Sequence, residues 1–177
     1  MFLFLPLGLF GISKAYLLWQ ILNLLLCAAC IYGLWSFFLK GYGILSILLV
    51  AMLMLMLVPV LSTFSYAQTN FLALLFFLMF FKYRSKRWGG IWLALSVVVK
   101  PYIALLYIYP LLTRKWKLLV TAISSLIILA LLSVFAFGQD VFVSFFNNPV
   151  SKVPIVNYTE MVNQSLLATI LRLPQYQ

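Results

Sequence analysis

The chain has 177 residues, 66% of them hydrophobic and 8% charged, with a formal net charge of +10. That balance excludes a water-soluble globule. Apolar stretches of 18 or more residues recur with almost no charge, and these read as transmembrane helices. There is no histidine, and the only carboxylates are Asp140 and Glu160, so metal clusters of His/Asp/Glu type and a Ser-His-Asp triad are excluded within this chain. The basic residues sit mostly in short loops between apolar runs. There they set orientation and meet anionic lipid, and they give no sign of a nucleic-acid partner.

Taken in chain order, Met1 to Gly11 is apolar but too short to cross a membrane, and no basic region precedes it as in a signal peptide. Tyr16 to Phe38 is the first clear span. Cys27 and Cys30 lie on one of its faces and read as small buried hydrophobes. Lys40-Gly41-Tyr42-Gly43 is a tight connection held on the inner side by its lysine. Ile44 to Leu61 is the second span. Met52, Met54 and Met56 in it are filler rather than a copper site, because side chains two apart diverge on a helix.

After Pro59 comes a polar patch, Ser62 to Asn70, which the count of crossings from Lys40 places outside. A third span, near residues 68–81, starts within it and ends in the basic loop Lys82, Arg84, Lys86, Arg87. The next apolar run, Trp88 to Leu112, is followed by Arg114, Lys115 and Lys117. Short basic loops stay on the cytoplasmic side. A run with such a loop at each end cannot cross only once. It must enter, turn and return, and Lys100-Pro101 at its centre is the place to turn. Each arm has about a dozen residues, or ~18 Å of helix against a hydrocarbon core of ~30 Å. The turn therefore sits at intermediate depth, where irregular backbone survives only inside protein or against a wet cavity. The alternative is one tilted, kinked span whose lysine snorkels to an interface.

Leu118 to Phe137 is a span directed outward, residues 138–162 form an external loop carrying both carboxylates, and Asn163 to Leu173 is a short helix with Arg172 near its end. Trp19, Trp88, Tyr109 and Trp116, near span ends, read as interface anchors. The expected architecture is an all-α, polytopic transmembrane bundle of one domain, broken at Lys100-Pro101.

This topology brings Gln68-Thr69-Asn70, Lys100 and Asn163-Gln164-Ser165 to one leaflet. An ammonium at depth needs an anion, and no span contains a carboxylate. A lipid phosphate or diphosphate fits, since lysine is a compact point charge for phosphate oxygens. The amides of Gln68 and Asn70 can hold a sugar hydroxyl or a phosphate oxygen, or else cap the helix start. Asn163-Gln164-Ser165 matches a weak glycosylation sequon, or else Asn163 caps a helix start.

Tyr66-Ala67-Gln68-Thr69-Asn70-Phe71-Leu72 resembles the "GQxN" opening of a helix in glycosyltransferase family 87. Gly90 to Pro101 resembles that family's "aGlllalaaalKP" segment, Leu111 to Trp116 its "LLxRRW", and Asn163-Gln164-Ser165-Leu166 with Arg172 its "NQSLxGxxxR". The order agrees over roughly Leu3 to Leu173. Ala67 and Ala168 stand where the family usually has glycine.

The resemblance implies a GT-C-like fold and a multi-pass enzyme of the plasma (inner) membrane. It would transfer a hexose, often mannose, from a polyprenyl-phosphate donor to an acceptor on the outer face. It also implies substrate-binding roles for Lys100, Gln68, Asn70, Asn163, Gln164 and Arg172, with no cofactor. The catalytic aspartate of such enzymes lies in a first external loop and is expected upstream of Met1, so the chain reads as an internal fragment, inactive alone. Rival readings are a lipid flippase or transporter with a broken helix, and a structural subunit whose Lys100 pairs with a partner's acid.

Overall fold

A computed structural model describes residues 9–140 and 143, and every regular element among them is helical. Contacts divide the chain into two compact units, Met1–Ser133 and Val134–Gln177. The elements discussed below belong to the first, apart from the last residues of the final helix, which follow Ser133.

Helix α1, Ile12–Leu34, widens into a π-helical turn at Trp35–Leu39 and closes in a 3-10 turn at Lys40–Tyr42. The whole element is 31 residues long and can cross a membrane, as can the apolar part of α7, Trp116–Ala136, at 21 residues. The chain then turns at Gly43, whose φ of +84° only glycine adopts without strain. The Ser46 hydroxyl fastens the turn, donating to the Gly43 carbonyl at 2.6 Å and accepting from the Trp35 indole at 2.9 Å.

The expected second span, Ile44 to Leu61, is not one straight helix. It divides into α2, Leu45–Met56, and α3, Val58–Ser65, bent by 67° at Leu57. The cause is Pro59, which has no N–H to donate to the carbonyl four residues back and whose ring would strike it. Leu57 turns extended, and Pro59 falls in the first turn of α3, where its missing donor costs nothing. On α2, Met54 is buried while Met52 and Met56 are exposed, the divergence that 100° steps require.

Helix α3 ends in a Schellman motif. The Gln68 N–H donates to the Thr63 carbonyl at 3.0 Å and the Ala67 N–H to the Phe64 carbonyl at 3.5 Å. Ala67 takes the left-handed position, φ 50°. This is the residue that stands in place of a glycine in the resemblance above. A side chain in that conformation costs about 1 kcal/mol. Ala67→Gly is therefore expected to raise the thermal midpoint in detergent by a few degrees, and an unchanged or lower midpoint would show the strain to be absorbed.

Helix α4, Asn70–Tyr83, runs parallel to the second half of α1. The Cys30 thiol donates to the Phe71 carbonyl, Gly33 lies against Leu78, and Phe38 stacks near Phe81. This parallel alignment sets Lys40 at the same end of the bundle as Lys82. Helix α5, Gly89–Val99, returns antiparallel to α4, with Phe76 and Trp92 in ring contact at 5.9 Å. At Lys100 the chain becomes extended (φ −138°, ψ 98°), as the residue before a proline must. A 3-10 helix, Pro101–Tyr107, and the short α6, Ile108–Leu112, complete the second arm.

That arm comes back to where α5 began. The Lys115 ammonium donates to the Arg84 carbonyl at 3.3 Å, bringing the two basic loops together. The run from Trp88 to Leu112 is thus a broken hairpin and not a single kinked span. Helix α7, Trp116–Phe137, leaves from the same end and packs its first turns on α5. Met1 to Gly8 and the expected helix at 163–173 lie outside the described residues. So does most of the 138–162 loop.

Two apolar clusters result. One gathers Leu26, Cys27, Cys30, Val50, Met54, Val60, Phe71 and Leu78 from α1 to α4. The other gathers Phe80, Leu93, Val97, Leu118 and Ala122 from α4, α5 and α7. Much of the remaining surface is exposed Leu, Ile, Val and Phe, which suits lipid rather than water.

Candidate functional site

The polar patch at the start of α4 folds into a connected network. Asn70 Nδ2 donates to Thr63 Oγ1 and to Gln68 Oε1, both at 2.8 Å, and Thr63 Oγ1 donates to the Pro59 carbonyl at 2.7 Å. Thr69, at the N-cap of α4, makes no side-chain cap hydrogen bond, and the Asn70 amide nitrogen points back into the bend between α3 and α4.

The α1 helix completes the network through residues that sequence reading missed. Asn23 and Thr63 are fully buried. With its amide oriented to suit its neighbours, Asn23 donates to the Gln68 carbonyl at 3.3 Å and accepts from the Trp19 indole at 3.0 Å. The same indole N–H donates to the Ala67 carbonyl at 2.7 Å, and Gln20 Nε2 donates to the Phe64 carbonyl. Trp19 is buried, so it is a strut under the Ala67–Gln68 turn and not an interface anchor. The signal was available: an asparagine and a glutamine inside an apolar span must be satisfied by a neighbouring helix.

Lys100 lies level with this patch. Phe76 of α4 faces Trp92 of α5, so the antiparallel packing sets Gln68, which precedes α4, and Lys100, which follows α5, at the same end of the pair. The Lys100 backbone stays within its own turn, donating to the Ser96 carbonyl at 2.9 Å and accepting from Ile103 at 3.0 Å. Its side chain is half-buried, and among the described residues its ammonium meets no hydrogen-bond or ion-pair partner. From the basic end, α4 with its 14 residues reaches only ~21 Å. That is less than the ~30 Å thickness of a hydrocarbon layer.

An apolar cavity of about 720 Å³ opens beside the amide patch. Its walls include Leu34, Met54, Val60, Phe71 and Phe77, while Thr63 and Asn70 supply its polar edge. The other side is Tyr102, Ile103, Leu105 and Leu106, the residues that directly follow Lys100-Pro101. The second arm of the broken hairpin thus forms a wall of this chamber, while Lys100 itself is not among the residues that line it. Asn163, Gln164 and Arg172 lie outside the described residues, as does Glu160. Asp140 is exposed, in the second unit. No group of three or more His, Cys, Asp or Glu able to hold a metal occurs among the described residues.

The family model of glycosyltransferase family 87 matches residues 1–177. The chain belongs to that family. It is accordingly a membrane glycosyltransferase sequence, and its apolar helices make it an integral membrane protein. No curated protein and no solved structure matches it significantly.

Proposed function

We propose that this family 87 glycosyltransferase takes its sugar from a polyprenyl-phosphate donor, with the isoprenoid chain in the apolar cavity and the phosphate at Lys100. The observation that carries the reading is the cavity itself. It is apolar along most of its wall, polar at Thr63 and Asn70, and walled on one side by the arm that directly follows Lys100, a lysine with no partner among the described residues. A charge in that position is costly, and the anion that offsets it is missing from the described residues. Gln68 and Asn70 hold a sugar hydroxyl or phosphate oxygen, as do Asn163, Gln164 and Arg172 from the C-terminal segment. The sugar is a hexose, mannose in the leading case.

In this reading Lys100 neutralises the phosphate as the glycosidic bond to it breaks, stabilising charge that develops on the leaving group. The acceptor hydroxyl loses its proton to a carboxylate. Neither Asp140 nor Glu160 is assigned that role. The basic loops lie in the cytoplasm by the positive-inside rule, so Lys100 and the amide patch face the outer side of the plasma membrane.

The test is donor-dependent stabilisation of the purified protein in detergent. A ligand at a hundred times its Kd contributes ~2.7 kcal/mol of stability. A polyprenyl-phosphate sugar is expected to raise the thermal midpoint and uncharged polyprenol to raise it much less. Equal effects of the two would remove the phosphate from the proposal, and no effect of either would remove the lipid.

A further inference from the structure

The opposite end of the bundle holds a second cavity, of about 600 Å³, lined by Arg84, Lys86, Arg87, Arg114, Lys115 and Lys117. We infer that it is a binding site for the phosphodiester headgroup of an anionic phospholipid. Six cations face one space, and no carboxylate among the described residues lines it. Helices α5 and α7 both begin at this end, and neither has an acidic residue in its first turn. The positive ends of two helix dipoles are therefore added to the six side chains.

Several of these cations are positioned by packing. The Arg84 guanidinium lies 3.8 Å from the centre of the Phe81 ring, and the Arg87 guanidinium lies near Trp88. The Lys115 ammonium is fixed by the Tyr109 hydroxyl at 2.6 Å as well as by the Arg84 carbonyl. Like charges so confined repel one another unless an anion joins them. Simple loops that only mark orientation need no such confinement.

Arg114 supplies an independent observation. Helix α6 ends in a Schellman motif, with the Lys115 N–H on the Pro110 carbonyl at 2.8 Å and the Arg114 N–H on the Leu111 carbonyl at 3.2 Å. Arg114 occupies the left-handed position, φ 53°, where glycine would be unstrained. A strained arginine in a cation-lined cavity points to a role for its charge. The headgroup of a bilayer lipid is favoured over a free anion because exposed Trp116 forms part of the same wall, and such rings settle at headgroup level.

Arg114→Gly separates strain from binding, because the two respond with opposite sign. The protein is reconstituted in nanodiscs of phosphatidylcholine alone or with phosphatidylglycerol, and its thermal midpoint is read. Phosphatidylglycerol is expected to raise the midpoint of the native protein. Arg114→Gly should start higher in phosphatidylcholine yet gain less from phosphatidylglycerol, and the Lys86→Gln, Arg87→Gln double variant should bind phosphatidylglycerol about thirtyfold more weakly. Lys100→Ala should leave the gain unchanged, which keeps this site distinct from the proposed donor site. Equal gains in the native, Arg114→Gly and double-variant proteins would overturn the site. Equal stabilisation by inorganic phosphate in phosphatidylcholine discs would assign the cavity to a free anion and overturn the lipid.

Discussion

Lys100→Ala is expected to weaken binding of a polyprenyl-phosphate sugar by about ten- to a hundredfold, since a hydrogen bond to a charged group contributes ~1.5–3 kcal/mol. The prediction rests on where the side chain stands. It lies at the break between α5 and the 3-10 arm, level with Gln68, with no partner for its charge among the described residues. Removing an unpaired charge from such a place should leave thermal stability equal or slightly higher in the absence of ligand. Loss of donor binding with stability retained is the signature of a substrate-binding lysine. Loss of folding or assembly instead would favour a structural subunit with an acidic partner for Lys100. Lys100→Arg should recover only part of the affinity, because a planar fork replaces a compact point charge. Unchanged donor binding in Lys100→Ala would end the assignment.

The break at Lys100 was legible because two independent rules pointed to it. One is steric, the exclusion of the α conformation before proline, and the other is topological, the basic clusters at both ends of a run too long to be a loop. The structure adds what neither rule supplies, the contact between Lys115 and Arg84 that closes the hairpin. The bend at Leu57 had a local signal in Pro59, but an apolar run of the right length outweighed it. Trp19 shows a different limit. Its place near a span end matched an interface anchor, whereas its burial is fixed by the Ala67 carbonyl 48 positions away. Partners that distant leave no trace in local pattern. Asn23 and Thr63 were overlooked for the same reason, although a polar residue within an apolar span is itself a sign that some neighbouring helix must satisfy it. The resemblance pointed to Gln68, Asn70 and Lys100, but the cavity that Thr63 and Asn70 border depends on how α2, α3, α4 and the hairpin pack, and composition contains no such information.

The hairpin can hold that wall only if α5 stays in register on α7, and that contact depends on one hydrogen atom. A Cβ built on Gly90 would lie 2.6 Å from the Ala122 nitrogen and 2.6 Å from the Leu118 carbonyl oxygen. Both are backbone atoms of α7, so no rotamer change can make room. Gly90 and the fully buried Ala94 are four apart on α5, a pairing of small residues that lets helices approach closely where lipid gives no hydrophobic drive. Gly90→Ala is therefore expected to destabilise by about 1–3 kcal/mol, as overpacking does, outweighing the better helix propensity of alanine. Gly90→Val should prevent a stable fold. Gly41, with nothing within 4 Å of its built Cβ, is the control, and Gly41→Ala should unfold at the native temperature. A Gly90→Ala protein with native thermal stability would show that α5 and α7 are free to separate. The second arm of the hairpin depends on α7 too, through the Tyr107 hydroxyl, which donates to the Ala122 carbonyl at 3.2 Å. A wedge at Gly90 displaces that carbonyl, so Gly90→Ala should also weaken donor binding although Gly90 does not line the cavity. Retained donor affinity in a destabilised Gly90→Ala protein would mean that the chamber wall is held by α4 alone.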